Sequence, residues 1–311
     1  MDNRQKANEM IPGSIDFHIH SGPDVFPRLM NDVELAQAAK AAGMRAILLK
    51  SHTEGTAGRA AIASAVTGFP VYGGLALNQS VGGLNPEAVR TAIRMGAKQI
   101  WMPTIHATHY LKAMDNVPMF AKLLKGKGGV AGIDLLDENG ALKDAVKEII
   151  ELIAEADIVL ASGHISSREA MVLTREAHSR GVQKIVITHP TSPMEHYSID
   201  EMKEILALGA TMLEHVVNDT THQMKNPVAS TVLSDAIKAT GAAHNIMSTD
   251  SGQVINPPPV LSMENFICMM LDDGISQEDI RIMTRDNPAR MLGIPVLADA
   301  EKPSAQAVAV G

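Results

Sequence analysis

The chain has 311 residues, more than the roughly 100–200 of a typical domain, but α/β barrels of about 250 residues form a single domain. Hydrophobic residues make up 45% and charged residues 20%, as in ordinary globular proteins, and no apolar run approaches the roughly 18 residues that span a bilayer. A net charge of −8 and a 3% aromatic content disfavour nucleic-acid binding, which needs basic side chains for the phosphates and aromatic rings that stack on the bases. We therefore expect neither a nucleic acid nor a membrane as partner.

The beginning of the chain and its cysteine content indicate the compartment. Residues 1–12 are polar and lack the apolar core of a secretory signal, and the single cysteine, Cys268, excludes an internal disulfide. These features predict a cytoplasmic protein.

Short apolar segments alternate with helical patterns along the chain, which is typical of βα units with a parallel sheet. The helical patterns 33–42, 86–95 and 198–208 each end just before a glycine, as a left-handed C-cap requires. Eight apolar segments are predicted as strands: 14–20, 46–52, 71–77, 99–104, 157–163, 184–189, 210–217 and 244–249.

Eight strands, each followed by a helix, predict an α/β fold with a single (β/α)8 TIM barrel over residues 1–295, and a doubly wound open sheet is the alternative. Residues 296–311 are predicted to form a flexible tail.

The long interval after strand 4 suggests an insertion. It contains a helical pattern around 110–124, a glycine-rich segment at 126–129 that fits a flexible loop better than a phosphate loop, and Asn139-Gly140, which is typical of a β-hairpin turn. A small β-hairpin insertion is therefore expected after strand 4.

Two histidines end the first predicted strand. His18 and His20 are two residues apart, and side chains at i and i+2 lie on one face of a strand. Since imidazole is a common ligand of catalytic metals, this pair could supply two ligands to one ion; a pair of ordinary strand histidines is the alternative.

Other predicted strands end in similar groups. In a barrel, the carboxyl ends of the strands meet at the catalytic face, so these side chains are expected to converge with His18 and His20. The residues concerned are Lys50 and His52 after strand 2, His164 after strand 5, His189 after strand 6 and Asp250 after strand 8. This distribution favours a metal site.

Further polar residues are weaker candidates for substrate contacts. Arg28 and Arg59 lie on loops at the same end and could hold a substrate carboxylate, although surface arginines are an equal alternative. His52, His106 and His215 are also predicted near the substrate, and His109 is a similar loop histidine.

The set His18-x-His20, His164, His189 and Asp250 resembles that of the metal-dependent amidohydrolase superfamily. The segment 284–293, which contains Asn-Pro-Ala-Arg-Met-Leu-Gly, is similar to an ending common in those enzymes. Few residues flank the barrel, so the resemblance is to the compact branch without a β-sandwich. It implies one or two divalent metals, most often zinc and otherwise manganese, iron or nickel. The four histidines would then be ligands, and Asp250 would be both ligand and proton shuttle.

One departure from the family pattern concerns strand 4. Binuclear members commonly carry a bridging carboxylated lysine or a glutamate at its end, whereas strand 4 here ends Trp101-Met102-Pro103-Thr104. Either the site is mononuclear or Lys50, as a carboxylated lysine, takes the bridging part. The sequence leaves both alternatives open.

These residues predict a hydrolase that activates water to cleave a C–N or C–O bond of a small substrate, with or without a carboxylate, such as an amide, cyclic amide, lactone or ester. Asp250 and Lys50 are the predicted catalytic residues. A metal-dependent decarboxylase or hydratase is the main alternative, and a phosphoesterase or a non-catalytic metal-binding barrel is less favoured. The substrate is not defined by the sequence, and a homo-oligomer remains a hypothesis.

Overall fold

A computed structural model describes residues 2–113 and 131–297. Its eight parallel strands pair in chain order, β1 to β8. A parallel bridge between Ile19 and Ser251 joins β1 to the segment after β8 and closes the barrel. The strands are β1 Ile15–Ile19, β2 Ala46–Leu49, β3 Val71–Ala76, β4 Gln99–Trp101, β5 Val159–Ala161, β6 Ile185–Ile187, β7 Met212–Val216 and β8 Asn245–Ser248. The predicted (β/α)8 TIM barrel is thus confirmed.

Helices alternate with these strands and surround the barrel. The α-helices in the described residues are α1 Asn3–Met10, α2 Asp32–Ala41, α3 Ala57–Thr67, α4 Pro86–Arg94, α5 Thr108–Ala113, α6 Asp144–Ala156, α7 Ser167–Ser179, α8 Ile199–Ala207, α9 Ser230–Thr240, α10 Pro259–Asp272, α11 Gln277–Arg281 and α12 Asn287–Leu292.

The helix ends follow the predicted signals. The helices α2, α4 and α8 match the three predicted segments to within one residue at either end, and Gly43, Gly96 and Gly209 beyond them have φ of 74°, 90° and 114°. Because an L-residue with a side chain rarely adopts these angles, glycine is what allows each chain to leave its helix.

Several strands are shorter than predicted, because the ladder hydrogen bonds stop before the polar residues begin. β2 ends at Leu49 and β4 at Trp101, rather than at His52 and Thr104. The predicted strand-end residues therefore lie mostly on the loops that follow the strands.

A β-bulge in β1 sets the direction of its side chains. Asp16 pairs with Ile47 and Ile19 with Leu49, so β1 contains one more residue than β2 over this stretch. Ile15 and Phe17 pack inside the barrel, whereas Ile19, which ends the bulged stretch, packs outward against the helices. The bulge therefore turns His18 and His20 toward the barrel interior.

The lower part of the barrel interior is mostly apolar, with the buried Gln99 side chain of β4 as a polar exception. Apolar side chains such as Phe17, Leu48 and Trp101 occupy the interior, and Met291 and Leu292 of α12 join the same cluster. Asn287 holds α12 in place by donating to the backbone oxygens of Ala242 and Asn245. The Asn-Pro-Ala segment thus plugs the amino-terminal end of the barrel.

The predicted insertion takes a reduced form. The backbone turns between Asp137 and Gly140, but only one antiparallel bridge, Leu136 to Leu142, flanks this turn. α5 covers the start of the predicted helix; its remainder to 124, the segment 126–129 and most of the predicted tail, 298–311, lie outside the described residues. None of the described helices combines the length and apolar character that a bilayer crossing requires.

Candidate metal centre

Five histidine side chains form a closed ring at the carboxyl end of the barrel. Following the ring from His18 through His20, His52, His164 and His189 back to His18, neighbouring ring centroids are 5.5, 5.0, 5.8, 4.8 and 5.9 Å apart. All five side chains are buried. Residues from four different strand ends therefore converge on one small volume.

The first donor group lies on one side of this histidine ring. It consists of His18, His20 and Asp250, whose potential ligand atoms lie within 4.8 Å of one another. Asp250 Oδ1 lies 2.9 Å from His20 Nε2 and 3.2 Å from His18 Nε2. Burial opposes ionisation of Asp250, but the two histidines hold its pKa well below the usual range. The group thus combines an anionic oxygen with two imidazole nitrogens.

Asp16 fixes the backbone under this donor group. Its Oδ1 accepts from the backbone N–H groups of His18 at 3.3 Å and Thr249 at 3.0 Å, while Oδ2 accepts from the Thr249 hydroxyl at 2.5 Å. One buried carboxylate therefore ties the β1 bulge to the residue just before Asp250. Asp250 itself has φ of 50°, a strained conformation of the kind found at functional sites.

A second group of potential ligands lies on the opposite side of the histidine ring: His164, His189 and Glu195, again within 4.8 Å of one another. Both ring nitrogens of His164 are buried and lack a hydrogen-bond partner among the described residues. Glu195 Oε2 lies 3.0 Å from His189 Nδ1. Burial would lower the pKa of His189, but the Glu195 carboxylate raises it to about 9. Glu195 was not predicted, because it lies on an irregular loop where no periodicity marks it.

Glu214 supports His18 from β7. Its Oε2 lies 3.1 Å from His18 Nδ1, and both side chains are fully buried. Met212 faces the barrel interior and Leu213 the helices, so strand alternation could have identified Glu214 as inward-facing. His215, which the sequence placed near the substrate, instead lies on the other face, bonded to Asn245 at 2.8 Å and Thr191 at 3.3 Å.

Lys50 lies inside the barrel beside the first donor group. Its Nζ is 2.9 Å from His18 Nε2 and 5.5 Å from the centre of the Trp101 ring. Burial lowers the pKa of this lysine to about 8, although Asp250 and Glu214 oppose that shift. The amine is therefore neutral in a larger fraction of molecules than an exposed lysine would be.

The two predicted substrate arginines are held within the protein. Arg28 bonds Asp24 through Nε at 2.8 Å and meets His20 Nδ1 at 3.2 Å. Arg59 binds Asp32 and Glu54. Both guanidinium groups thus position the loop after β1.

The remaining predicted histidines take different positions. His52 belongs to the histidine ring and meets Thr104 Oγ1 at 2.9 Å through Nδ1. His109 Nε2 lies 2.9 Å from the Met194 backbone oxygen. His106 lies on the loop after β4, 9% exposed, and is not among the residues that line the cavity described next.

A small enclosed cavity lies directly above the histidine ring, with room for about one water molecule. Three loops cover it: those after β6, β7 and β8. Its lining consists of His52, His164, His189, Met194, Asp219, Gln223, Met224, Asp250 and Gln253.

The residues present fit a divalent transition metal. Imidazole nitrogens and carboxylate oxygens are typical zinc ligands. Both nitrogens of buried His164 lack a hydrogen-bond partner among the described residues, and a metal ion would satisfy one of them. His18 and His189 each have a carboxylate at Nδ1, the arrangement that orients ligating histidines and leaves Nε2 for the ion.

Solved structures with the same fold include three hydrolases. An amidohydrolase from Pseudomonas aeruginosa is 12% identical with a TM-score of 0.58, covering 94% of this chain and 98% of its own. The probable dipeptidase PvdM from the same organism gives 12% identity, a TM-score of 0.62 and the same coverage. An organophosphorus hydrolase from Deinococcus radiodurans is 15% identical with a TM-score of 0.52, and the match covers 92% of this chain and 94% of its own. At these identities the likeness shows the fold alone, a (β/α)8 barrel.

No curated protein sequence matches this chain significantly. A family match covers about two thirds of it, from two residues before β1 into β7, and includes His18, His20, Lys50, His164 and His189. The chain belongs to the family of unknown function DUF6282, which it matches over residues 13–213.

Proposed function

We propose that this protein is a metal-dependent hydrolase that activates water against a C–N or C–O bond of a small substrate. The observation that carries the proposal is the convergence of His18, His20 and Asp250 with His164 and His189 beneath one enclosed cavity. The names of the three structural neighbours, all hydrolases, support the same reaction class.

The two donor groups would hold one or two divalent ions, with zinc the expected metal. A bound ion would lower the pKa of water toward about 7 and polarise the scissile carbonyl. Glu214 and Glu195 keep His18 and His189 in the orientation needed for binding.

Asp250 is the proposed general base and acid. Its Oδ1 faces the histidines, while Oδ2 accepts a hydrogen bond from Asn218 Nδ2 at 3.3 Å. Because its pKa is held low, the carboxylate is ionised at neutral pH and can take a proton from water, which it then delivers to the leaving group. General acid–base steps of this kind contribute about 10²–10⁴ in rate.

Lys50 is proposed as a carboxylated lysine that bridges two ions. Its neutral amine would add to carbon dioxide, forming the carbamate and releasing one proton. The lowered pKa of Lys50 and its 2.9 Å separation from His18 Nε2 support this role. A mononuclear site, in which Lys50 stays an amine, is the alternative.

Metal analysis of the purified protein tests the central claim. We expect about one to two equivalents of zinc after metal-replete expression, with hydrolysis of amides, lactones or carboxylated rings that is lost in Asp250→Asn. Less than about half an equivalent of any transition metal would contradict the proposal. Release of carbon dioxide or exchange of water without cleavage of an amide or ester would instead favour the decarboxylase or hydratase.

The remaining expectations from the sequence stay predictions. These are the small-molecule partner, the cytoplasmic location, the homo-oligomeric state and the substrate contacts of Arg28, Arg59, His52 and His106, whereas His215 lies on the outer face of β7.

A further inference from the structure

Asp219 is a buried carboxyl group in the cavity that the reaction described above does not use. It lies just after β7, is 1% exposed and lines the same cavity as His164 and Asp250. Neither of its oxygens receives a hydrogen bond of good geometry from the described residues. Burial raises the pKa of Asp219 well above the usual range, although the nearby charge of His189 and the Ser192 hydroxyl oppose that shift.

The other carboxylates around the histidine ring each have a defined partner. Asp16 accepts a hydrogen bond from the Thr249 hydroxyl, and Asp250 lies against His18 and His20. Glu214 and Glu195 lie within hydrogen-bond distance of His18 and His189, respectively. Burying a polar group without a well-formed hydrogen bond is destabilising, so such groups are rare unless they serve a function. Asp219 also lies outside both donor groups of the described residues, which argues against a ligand role.

Gln223 lines the same cavity four residues further along the same loop. Its Oε1 lies 3.0 Å from Asn256 Nδ2, whose two N–H groups are shared among this oxygen, Asn218 Oδ1 at 2.7 Å and Gln253 Oε1 at 2.9 Å. With its oxygen turned toward Asn256, the Gln223 side chain keeps its NH2 group as a donor. The loop after β7 therefore presents a carboxyl acceptor and an amide donor to one small volume.

We propose that Asp219 and Gln223 select substrates whose scissile bond is a secondary amide, with Asp219 accepting from the amide N–H and Gln223 donating to a substrate oxygen. This inference rests on the proposed hydrolase function and assigns it to C–N rather than C–O bonds. In the reaction, the oxygen of water bonds to the carbonyl carbon, the C–N bond breaks, and the nitrogen takes up a proton from Asp250. An ester or lactone has no N–H, so it would leave Asp219 unpaired in a closed site.

Matched compounds isolate the N–H contact. We would measure kcat/KM on a panel of lactams and N-acyl amino acids, each beside its N-methyl counterpart and its lactone or ester counterpart. The preference is the ratio of kcat/KM for the N–H compound to that for the N-methyl compound. This ratio does not depend on how much of each variant is folded and metal-loaded.

In Asp219→Leu the preference should fall at least about tenfold, the effect of losing one hydrogen bond of about 1.4 kcal/mol. Asp219→Asn keeps an acceptor oxygen and should restore most of the preference. The matched control is Asp144→Leu, which changes a side chain that is 99% exposed and should leave the preference unchanged. Metal content of Asp219→Leu should equal that of the wild type.

Three results would overturn the assignment. An unchanged preference in Asp219→Leu would remove Asp219 from recognition, and loss of metal in that variant would make it a ligand. Hydrolysis of lactones and esters but of no amide would leave the hydrolase proposal intact and refute the amide assignment. If no compound in the panel were hydrolysed, the proposed function itself would fail.

Discussion

His215 provides a test of the structure that needs neither metal nor substrate. The ring is fully buried on the outer face of β7. Asn245 Nδ2 donates to Thr240 and Gly241, so its Oδ1 must accept from His215 Nε2–H. His215 Nδ1 then accepts from the Thr191 hydroxyl. Burial lowers the pKa of His215 from 6.5 to about 4, although the Asn245 hydrogen bond and the charge of Glu214 oppose that shift.

The lowered pKa of His215 makes the free energy of unfolding depend on pH. Below pH 6.5 the unfolded chain binds a proton at His215 that the folded protein does not bind, so stability is lost as pH falls from 6.5 toward 4. Between pH 8 and pH 5 the loss due to this one group is about 2 kcal/mol. In His215→Gln, the amide can replace both hydrogen bonds without a titrating group. The difference in free energy of unfolding between wild type and variant should therefore shrink by about 2 kcal/mol over that range.

The assay is urea unfolding followed by circular dichroism at fixed ionic strength, with EDTA present so that metal release does not contribute. Buried histidines other than His215 titrate equally in both proteins and cancel in the difference. His244→Gln is the control, because His244 is exposed and lies just before β8, the strand that pairs with β7. A wild-type-minus-variant difference that stays constant from pH 8 to pH 5 would refute the reasoning, because His215 would then not be buried as a neutral ring.

Two further predictions concern the seam between β1 and β8. Asp16→Leu removes the acceptor of the His18 and Thr249 backbone N–H groups, so metal affinity measured by chelator competition should fall about 10–100-fold, while an unchanged affinity would show that Asp16 does not position the donor group. In Gly252→Ala the added Cβ would lie 1.9 Å from the His20 backbone oxygen, so the free energy of unfolding should drop by more than the roughly 1–2 kcal/mol expected from backbone strain alone. Gly181→Ala is its matched control, with φ of 89° but nothing within 4 Å, and equal losses in the two variants would argue against the close contact.

The sequence predicted the barrel because its signals are local. Apolar segments, glycine C-caps and the order of elements each depend on neighbouring residues, and α2, α4 and α8 lie within one residue of their predicted bounds. The convergence of His18, His164, His189 and Asp250 followed from the barrel geometry, since the carboxyl ends of all strands meet at one face. Glu195 and Asp16 could not be predicted in the same way, because their roles depend on contacts that only the folded loops and the β1 bulge create.

The bulge in β1 shows why the His-x-His pattern alone did not determine where its side chains point. In a regular strand, His18 and His20 would share a face with Asp16 and lie opposite Phe17, which packs in the barrel interior. Both histidines would then face the helices, away from Asp250. The extra residue between Asp16 and Ile19 reverses this alternation, and the Asp16 carboxylate stabilises the reversal by accepting from the His18 backbone. The donor group thus depends on an irregularity in backbone pairing as much as on the histidines themselves.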